Sequence, residues 1–200
     1  MNDVTSAFAA DHTAVTWPSR RVLLLPGWLD SSAEHWQNRW QHQHGFVKVE
    51  QDDWVWPRRG DWMARLDEVL LQDPGTVLLV AHSLGCQLVA SWAAHSRHTD
   101  QVAGALLVAP PDTERLDMPP QLHNWRPIVR ARLPFPALAV LSSDDPYADR
   151  QRSEALCAQW GAEVVEAGPR GHLNAESGLG DWPDGLVLLQ RLAAAADLTR

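Results

Sequence analysis

The sequence predicts an α/β fold, a three-layer sandwich in which about six parallel strands lie between helices. Three observations predict it. Short apolar runs rich in Val, Leu and Ala recur along the chain, and most intervals between them carry helical spacing, the alternation that builds a parallel sheet with right-handed crossovers. The run Val77-Leu78-Leu79-Val80-Ala81 is wholly apolar, as in a strand buried on both faces in mid-sheet. No internal repeat or dividing linker interrupts the pattern, and 200 residues suit one core.

In chain order, residues 1–19 are mixed, small and polar and read as a loose arm, with residues 20–200 as one domain. Arg21 to Leu25 is a first buried strand, ended by Pro26-Gly27. Ser31 or Ser32 can cap a helix running to about Gln43, with Glu34 in its first turn. Phe46 to Glu50 alternates and reads as a less buried strand at an edge. Asp52 to Pro57 is loop, and Asp61 to Leu71 is an amphipathic helix with Met63, Leu66, Val69 and Leu70 on one side. The third strand then runs into a turn with Ser83 at its tip, and Gln87 to Ala94 continues with helical spacing. Val102 to Val108 is a fourth strand. A proline-rich connection (Pro119, Pro120, Pro127, Pro134, Pro136) leads to a fifth, Ala137 to Leu141. Asp149 to Trp160 is helical and stopped by Gly161, Ala162 to Glu166 is a sixth strand, and Pro183 opens a last helix to about Ala195.

Composition bounds the function. The net charge of -8, with no run of Lys or Arg, argues against nucleic acid or an anionic membrane as partner. The only two cysteines, Cys86 and Cys157, read as buried thiols rather than a disulfide, which fits a reducing compartment. No CxxC and no His/Cys cluster with zinc spacing occurs, so neither metal nor cofactor is expected. The N-terminus lacks a basic start followed by an apolar core, and no run of about 18 apolar residues exists, so the expected location is the cytoplasm.

The third strand carries the chemistry. Strand, tight turn with a central serine, then helix is a nucleophile elbow, and the turn requires small residues two positions before and after the serine. Here they are Ala81 and Gly85, with alanine in place of the usual first glycine. A bare Ser-Gly turn at a strand–helix junction would look similar, so the other strand ends decide. After the fifth strand comes Ser142-Ser143-Asp144-Asp145-Pro146-Tyr147, and after the sixth Gly168-Pro169-Arg170-Gly171-His172. Serine, acid and histidine in that order, each at a strand's carboxyl end, are what nucleophilic acyl transfer needs: a hydroxyl, a base to take its proton, and an acid to fix the base's tautomer.

The acid lies between Asp144 and Asp145. Pro146 favours Asp145, and an Asx turn capping the next helix suits Asp144. For His172 the bland alternative is a satisfied loop histidine. His82, adjacent to Ser83 in sequence, is expected to point away across the elbow with a structural role, and His35 to sit on the first helix at the surface or behind the site. Backbone N–H groups of Leu84 and of Trp28, in the loop after the first strand, are the expected oxyanion donors, each typically worth about 3–4 kcal/mol.

Several blocks are more specific. Pro26-Gly27-Trp28 with Ser31, Ser32 and His35-Trp36-Gln37, Ala81-His82-Ser83-Leu84-Gly85, Leu133-Pro134-Phe135-Pro136 before Ser143-Asp144-Asp145-Pro146-Tyr147, and Gly171-His172-Leu173-Asn174 with Ser177-Gly178-Leu179-Gly180-Asp181-Trp182-Pro183 resemble the small serine hydrolases of the YdeN type. These form the α/β-hydrolase branch that includes retinoblastoma-binding protein 9, and the resemblance runs from about Arg21 to Leu192. It implies a compact α/β-hydrolase fold lacking the first two strands of larger members, with Ser83, Asp145 and His172 as triad.

The connection from Pro110 to Pro136 is too short for a substantial lid, so an open site for small acyl groups is expected. Of the 11 tryptophans, Trp28, Trp54, Trp56, Trp125 and Trp182 fall in predicted loops, where most are expected to close the core and some to line an acyl pocket. The sequence thus predicts a carboxylesterase-like serine hydrolase acting on a small acyl substrate. The competing class is a protein-binding module on the same fold. Leu84-Gly85-Cys86-Gln87-Leu88 and Leu156-Cys157-Ala158-Gln159-Trp160 both lack the acid of an LxCxE motif, which disfavours it.

Overall fold

A computed structural model of the chain describes residues 20–198, so the expected arm 1–19 lies outside the described residues. One sheet of six parallel strands has the order β2-β1-β3-β4-β5-β6. The strands are β1 (Arg21–Leu25), β2 (Val47–Lys48), β3 (Val77–His82), β4 (Val102–Val108), β5 (Ala137–Leu141) and β6 (Glu163–Glu166). Every residue of β3 and β4 is buried, which explains their unbroken apolar runs. β2 is an edge strand of only two paired residues, shorter than its alternation suggested.

Alternate residues of the strands feed two cores. Leu23, Leu25, Leu79 and Ala81 pack beneath α2 (Arg59–Gln72), α3 (Leu84–Ala93) and α4 (Arg150–Trp160). Val22, Leu24, Leu78 and Val80 pack on the other face, under α1 (Trp36–His44) and α5 (Pro183–Leu198). The tryptophans divide between these layers: Trp62, Trp92, Trp125 and Trp160 in the first, Trp36, Trp40 and Trp182 in the second. Trp125 and Trp182, expected in loops, are thus core closures, whereas Trp56 is exposed.

The first helix starts later than its serines suggested. Leu29 and Asp30 take left-handed backbone angles (φ 68° and 65°), and α1 begins at Trp36 with His35 as its N-cap. Ser31 instead donates its hydroxyl to Gln37 Oε1 at 2.9 Å. The buried Gln37 amide then donates to the carbonyls of Leu25 and Val80 at 3.3 and 3.1 Å, tying together the carboxyl ends of β1 and β3. Ser31 is drawn inward to complete this network, so it is unavailable as a cap. The β4–β5 connection holds turns and a short 3-10 segment, Pro120–Trp125, rather than a lid domain. Cys86 and Cys157 are free and buried. Among the described residues no helix is long and apolar enough to cross a membrane.

Candidate active site

The site is built on the turn between β3 and α3. Ser83 adopts φ 54°, ψ -122°, a conformation costing about 1–3 kcal/mol that persists only when its surroundings enforce it. Here they do. Its N–H donates to the Val108 carbonyl at the end of β4, 2.9 Å away, and its carbonyl accepts from Cys86 N–H at 2.9 Å as the helix begins. Close approach explains the small neighbours: a Cβ on Gly85 would lie 2.2 Å from the Leu25 carbonyl oxygen, and one on Gly27 2.8 Å from Ser83 Cβ. Ala81, where a glycine is usual, is fully buried in β3, and its carbonyl oxygen lies 3.6 Å from Cys86 Sγ.

His172 meets Ser83 across the elbow, its Nε2 2.8 Å from Ser83 Oγ. Its Nδ1 lies 3.0 and 2.9 Å from the two carboxylate oxygens of Asp145. Both side chains are buried, 8% and 6% exposed, so water competes little for their hydrogen bond. An imidazole whose Nδ1–H faces a carboxylate presents an unprotonated Nε2 to the hydroxyl, and so can accept its proton.

Asp144 does something else. Its Oδ1 accepts from Ser142 hydroxyl and from the Gly171 N–H, both at 2.7 Å, and these bonds hold the carboxyl below its ordinary range. The Asx turn expected at Asp144 belongs to Asp145, whose Oδ1 takes the Tyr147 N–H at 2.9 Å. Asp144 is left to span the gap from the β5 loop to the β6 loop.

The His172 loop is therefore gripped at three successive residues. Asp144 takes the Gly171 N–H, the His82 ring lies 2.9 Å through Nε2 from the His172 carbonyl, and Trp36 donates its indole N–H to the Leu173 carbonyl at 2.8 Å. Gly171 and Leu173 both have left-handed φ (56° and 51°), a shape that needs such external support at leucine. The Tyr147 ring covers the other side of His172 at 4.5 Å between centroids.

One expectation for the histidines is corrected. His82 does not point away: its ring is 5.0 Å from that of His172 and lines the same cavity, because the β6–α5 loop folds back over the end of β3. Of the two positions expected for His35, the one behind the site is observed: it is 4% exposed and 4.6 Å from His82, and it caps α1 from inside through a bond from Gln37 N–H to Nδ1. Burial, then the charge of His172, lowers His35 to about 4 against an opposing pull from Asp30. Burial also pushes His82 well below its ordinary value, helped by His35 and His172. No local motif around His35 gives this away; the signal is a histidine two residues before a buried glutamine at a helix start.

A cavity of about 540 Å³ opens beside Ser83, lined among others by Gly27, Trp28, Leu84, Met118 and Leu122. Leu84 occupies the first position of α3, where an N–H has no intrahelical partner. Among the described residues no acceptor takes the Trp28 N–H, while the N–H groups of Leu29 and Asp30 are bonded to the Trp54 and Gly27 carbonyls. The Trp28 indole N–H donates to the Val55 carbonyl at 2.9 Å. Trp54 packs against Trp62 instead, away from Ser83.

A six-stranded parallel sheet with serine on the β3–α3 elbow, acid after β5 and histidine after β6 defines an α/β-hydrolase. The chain belongs to the serine hydrolase family, which it matches over residues 22–191. Within that family it is similar to YdeN-type proteins. A YdeN-like hydrolase from Pectobacterium atrosepticum has 28% sequence identity and a TM-score of 0.75, covering 89% of this chain and 91% of that one. The ydeN gene product of B. subtilis, at 20% identity, shares the fold with a TM-score of 0.67 over 88% of this chain and 100% of its own. Carboxylesterase CesB from Bacillus subtilis shares the fold more distantly, at 16% identity and a TM-score of 0.55 over 87% of this chain and 82% of that one. Among curated protein sequences none matches significantly.

Proposed function

We propose that the protein is a carboxylesterase-like serine hydrolase working through an acyl-enzyme. Ser83 Oγ attacks the acyl carbon while His172 Nε2 takes its proton, and Asp145 holds the imidazole and offsets its positive charge. The N–H groups of Leu84 and Trp28 bind the oxyanion that forms. His172 returns the proton to the departing alcohol, and water, activated by the same nitrogen, then releases the acid and regenerates Ser83. The observation that carries this reading is the continuous hydrogen-bonded line Ser83 Oγ, His172 Nε2, His172 Nδ1, Asp145 at the wall of an open cavity. Membership of the serine hydrolase family supports it. Esters are the proposed substrates, since an alcohol is a better leaving group than an amine; a thioester would engage the same residues.

Neither cysteine competes as nucleophile: burial pushes Cys157 up to about 12 and Cys86 well above the ordinary thiol range. Two free thiols in the core support a reducing compartment, and we place the protein in the cytoplasm. The test is a fluorophosphonate probe with wild type and Ser83→Ala side by side, and mass mapping of the adduct. An adduct on Ser83 that is absent from the variant is the expected result. No adduct on folded wild type would overturn the reading in favour of a binding module.

A further inference from the structure

The cavity beside Ser83 has a neighbour. A second cavity of about 430 Å³ adjoins it, and Tyr147, His172, Asn174 and Glu176 line both. The two differ in what else they touch. Of the pair, only the first is lined by Ser83, Leu84 and Trp28, and only the second by Pro146, Pro169 and Arg170. His172 therefore stands where the two meet, with the nucleophile and both proposed oxyanion donors on one side of it.

Acyl transfer assigns a half of the substrate to each side. The acyl carbon and its oxygen must lie within reach of Ser83 Oγ and of the Leu84 and Trp28 N–H groups, which keeps the acyl group in the first cavity. The ester oxygen must lie within hydrogen-bond reach of His172 Nε2, which gives it a proton as its bond to the acyl carbon breaks. Whatever hangs from that oxygen continues past the imidazole, towards the cavity that His172 lines and Ser83 does not.

Tyr147 stands at this passage. Its ring centroid is 4.5 Å from that of His172, yet the residue is 44% exposed. Its backbone is held on both sides: the N–H donates to Asp145 Oδ1 at 2.9 Å, and the carbonyl accepts from Asp112 N–H at 3.0 Å. A ring fixed beside the triad but left this open adds little to the core and offers its bare surface to a guest. Pro146 and Pro169 add two more rings to the second cavity. Arg170 and Glu176, which also line it, are both exposed and opposite in sign, so charge favours neither an anionic nor a cationic guest.

We propose that Tyr147 selects the leaving group, and that the preferred substrates are esters of aryl or arylalkyl alcohols whose ring packs on Tyr147 in the second cavity. This rests on Ser83 and His172 being nucleophile and base.

The test measures kcat/KM for methyl, cyclohexylmethyl and benzyl butyrate, each divided by the ester's alkaline hydrolysis rate. The quotient reads acylation, the step in which the alcohol is still attached. The benzyl ester should exceed the methyl ester about tenfold. It should exceed the cyclohexylmethyl ester, similar in bulk but without a π face, about fivefold. Tyr147→Phe keeps the ring and should keep both preferences. Tyr147→Leu keeps bulk without the ring and should bring the benzyl and cyclohexylmethyl esters level. The same variant should leave the ratio of methyl hexanoate to methyl butyrate where wild type has it. Each comparison is made within one preparation, so any general loss of support for His172 cancels. Benzyl and cyclohexylmethyl esters that are level in wild type, a Tyr147→Leu variant that keeps the aryl preference, or one that shifts the acyl ratio instead, overturns the proposal. Fluorophosphonate labelling of the same preparations separates the two readings. An adduct on Ser83 without the aryl preference sinks the specificity alone, and no adduct sinks both.

Discussion

His82 lies with Nε2 2.9 Å from the backbone carbonyl of His172, and since a carbonyl only accepts, His82 donates. The residue next to Ser83 in sequence thus holds the peptide of the residue next to Ser83 in space. His82→Ala should leave the fold intact and lower kcat about tenfold with little change in KM, because the imidazole of His172 loses its support rather than the substrate its contacts. His82→Gln, which retains a donor, should recover part of the loss. A change confined to KM, or a glutamine no better than alanine, would remove this role.

The two neighbouring carboxylates should separate cleanly. Asp145→Asn puts an amide where His172 Nδ1–H needs an acceptor, and the expected loss in kcat is about 10⁴-fold. Asp144→Asn keeps a carbonyl oxygen for Gly171 N–H and should cost far less. Finding the larger loss at Asp144 would transfer the role of the acid to it.

Ser83→Ala and His172→Ala should each lower turnover by roughly 10⁴-fold or more, and the double variant should be no worse than either alone, since the two act as one unit. Circular dichroism and urea midpoints close to wild type would show that the loss is chemical. Additive losses in the double variant would contradict the coupling.

The glycines around the elbow differ in what they protect. Gly85→Ala drives a methyl into the Leu25 carbonyl oxygen at 2.2 Å and should prevent folding or destabilise by several kcal/mol. Gly27→Ala meets Ser83 Cβ at 2.8 Å and Oγ at 3.2 Å, so it should displace the hydroxyl and reduce activity more than stability. In α2, a Cβ on Gly60 meets nothing within 4 Å, and Gly60→Ala should raise stability by about 0.5–1 kcal/mol. Thermal melts and turnover on the three variants test the ranking.

His35 also makes a pH prediction. Its folded value is lowered to about 4 from an unfolded value near 6.5, mainly by burial. Between those pH values the unfolded chain binds a proton that the folded chain refuses, so stability falls as pH drops from about 6.5 towards 4. The difference amounts to about 3 kcal/mol. His82 is shifted the same way and adds to the slope. Urea midpoints at pH 7, 5.5 and 4.5 should decline for wild type and decline less for His35→Asn. Parallel slopes for the two proteins would exclude His35 as the source.

Much of this was legible in the chain because it rests on local rules. Wholly apolar runs marked the buried strands, Gly161 marked the end of α4, and the order of Ser83, Asp145 and His172 along the strand ends placed them together. What escaped depends on long-range closure. The late start of α1 follows from Ser31 bonding to a glutamine that itself reaches two strands. The inward face of His82 follows from the path of the β6–α5 loop, which no spacing around Ser83 encodes. Trp62, by contrast, was legible and missed: it stands four residues before Leu66 and eight before Leu70 on the buried face of α2, where it packs against Trp125.

The three bonds that hold residues 171 to 173 come from a loop 27 positions back, a strand end 90 positions back and a helix 137 positions back. On the proposed mechanism, a nascent chain therefore carries Ser83 long before it can use it. Until the last strand is in place and the chain has doubled back over its own first half, the serine is an ordinary alcohol. Reactivity towards an acyl probe then becomes a clock for the completion of folding, switching on only when the most distant parts of the polypeptide have met.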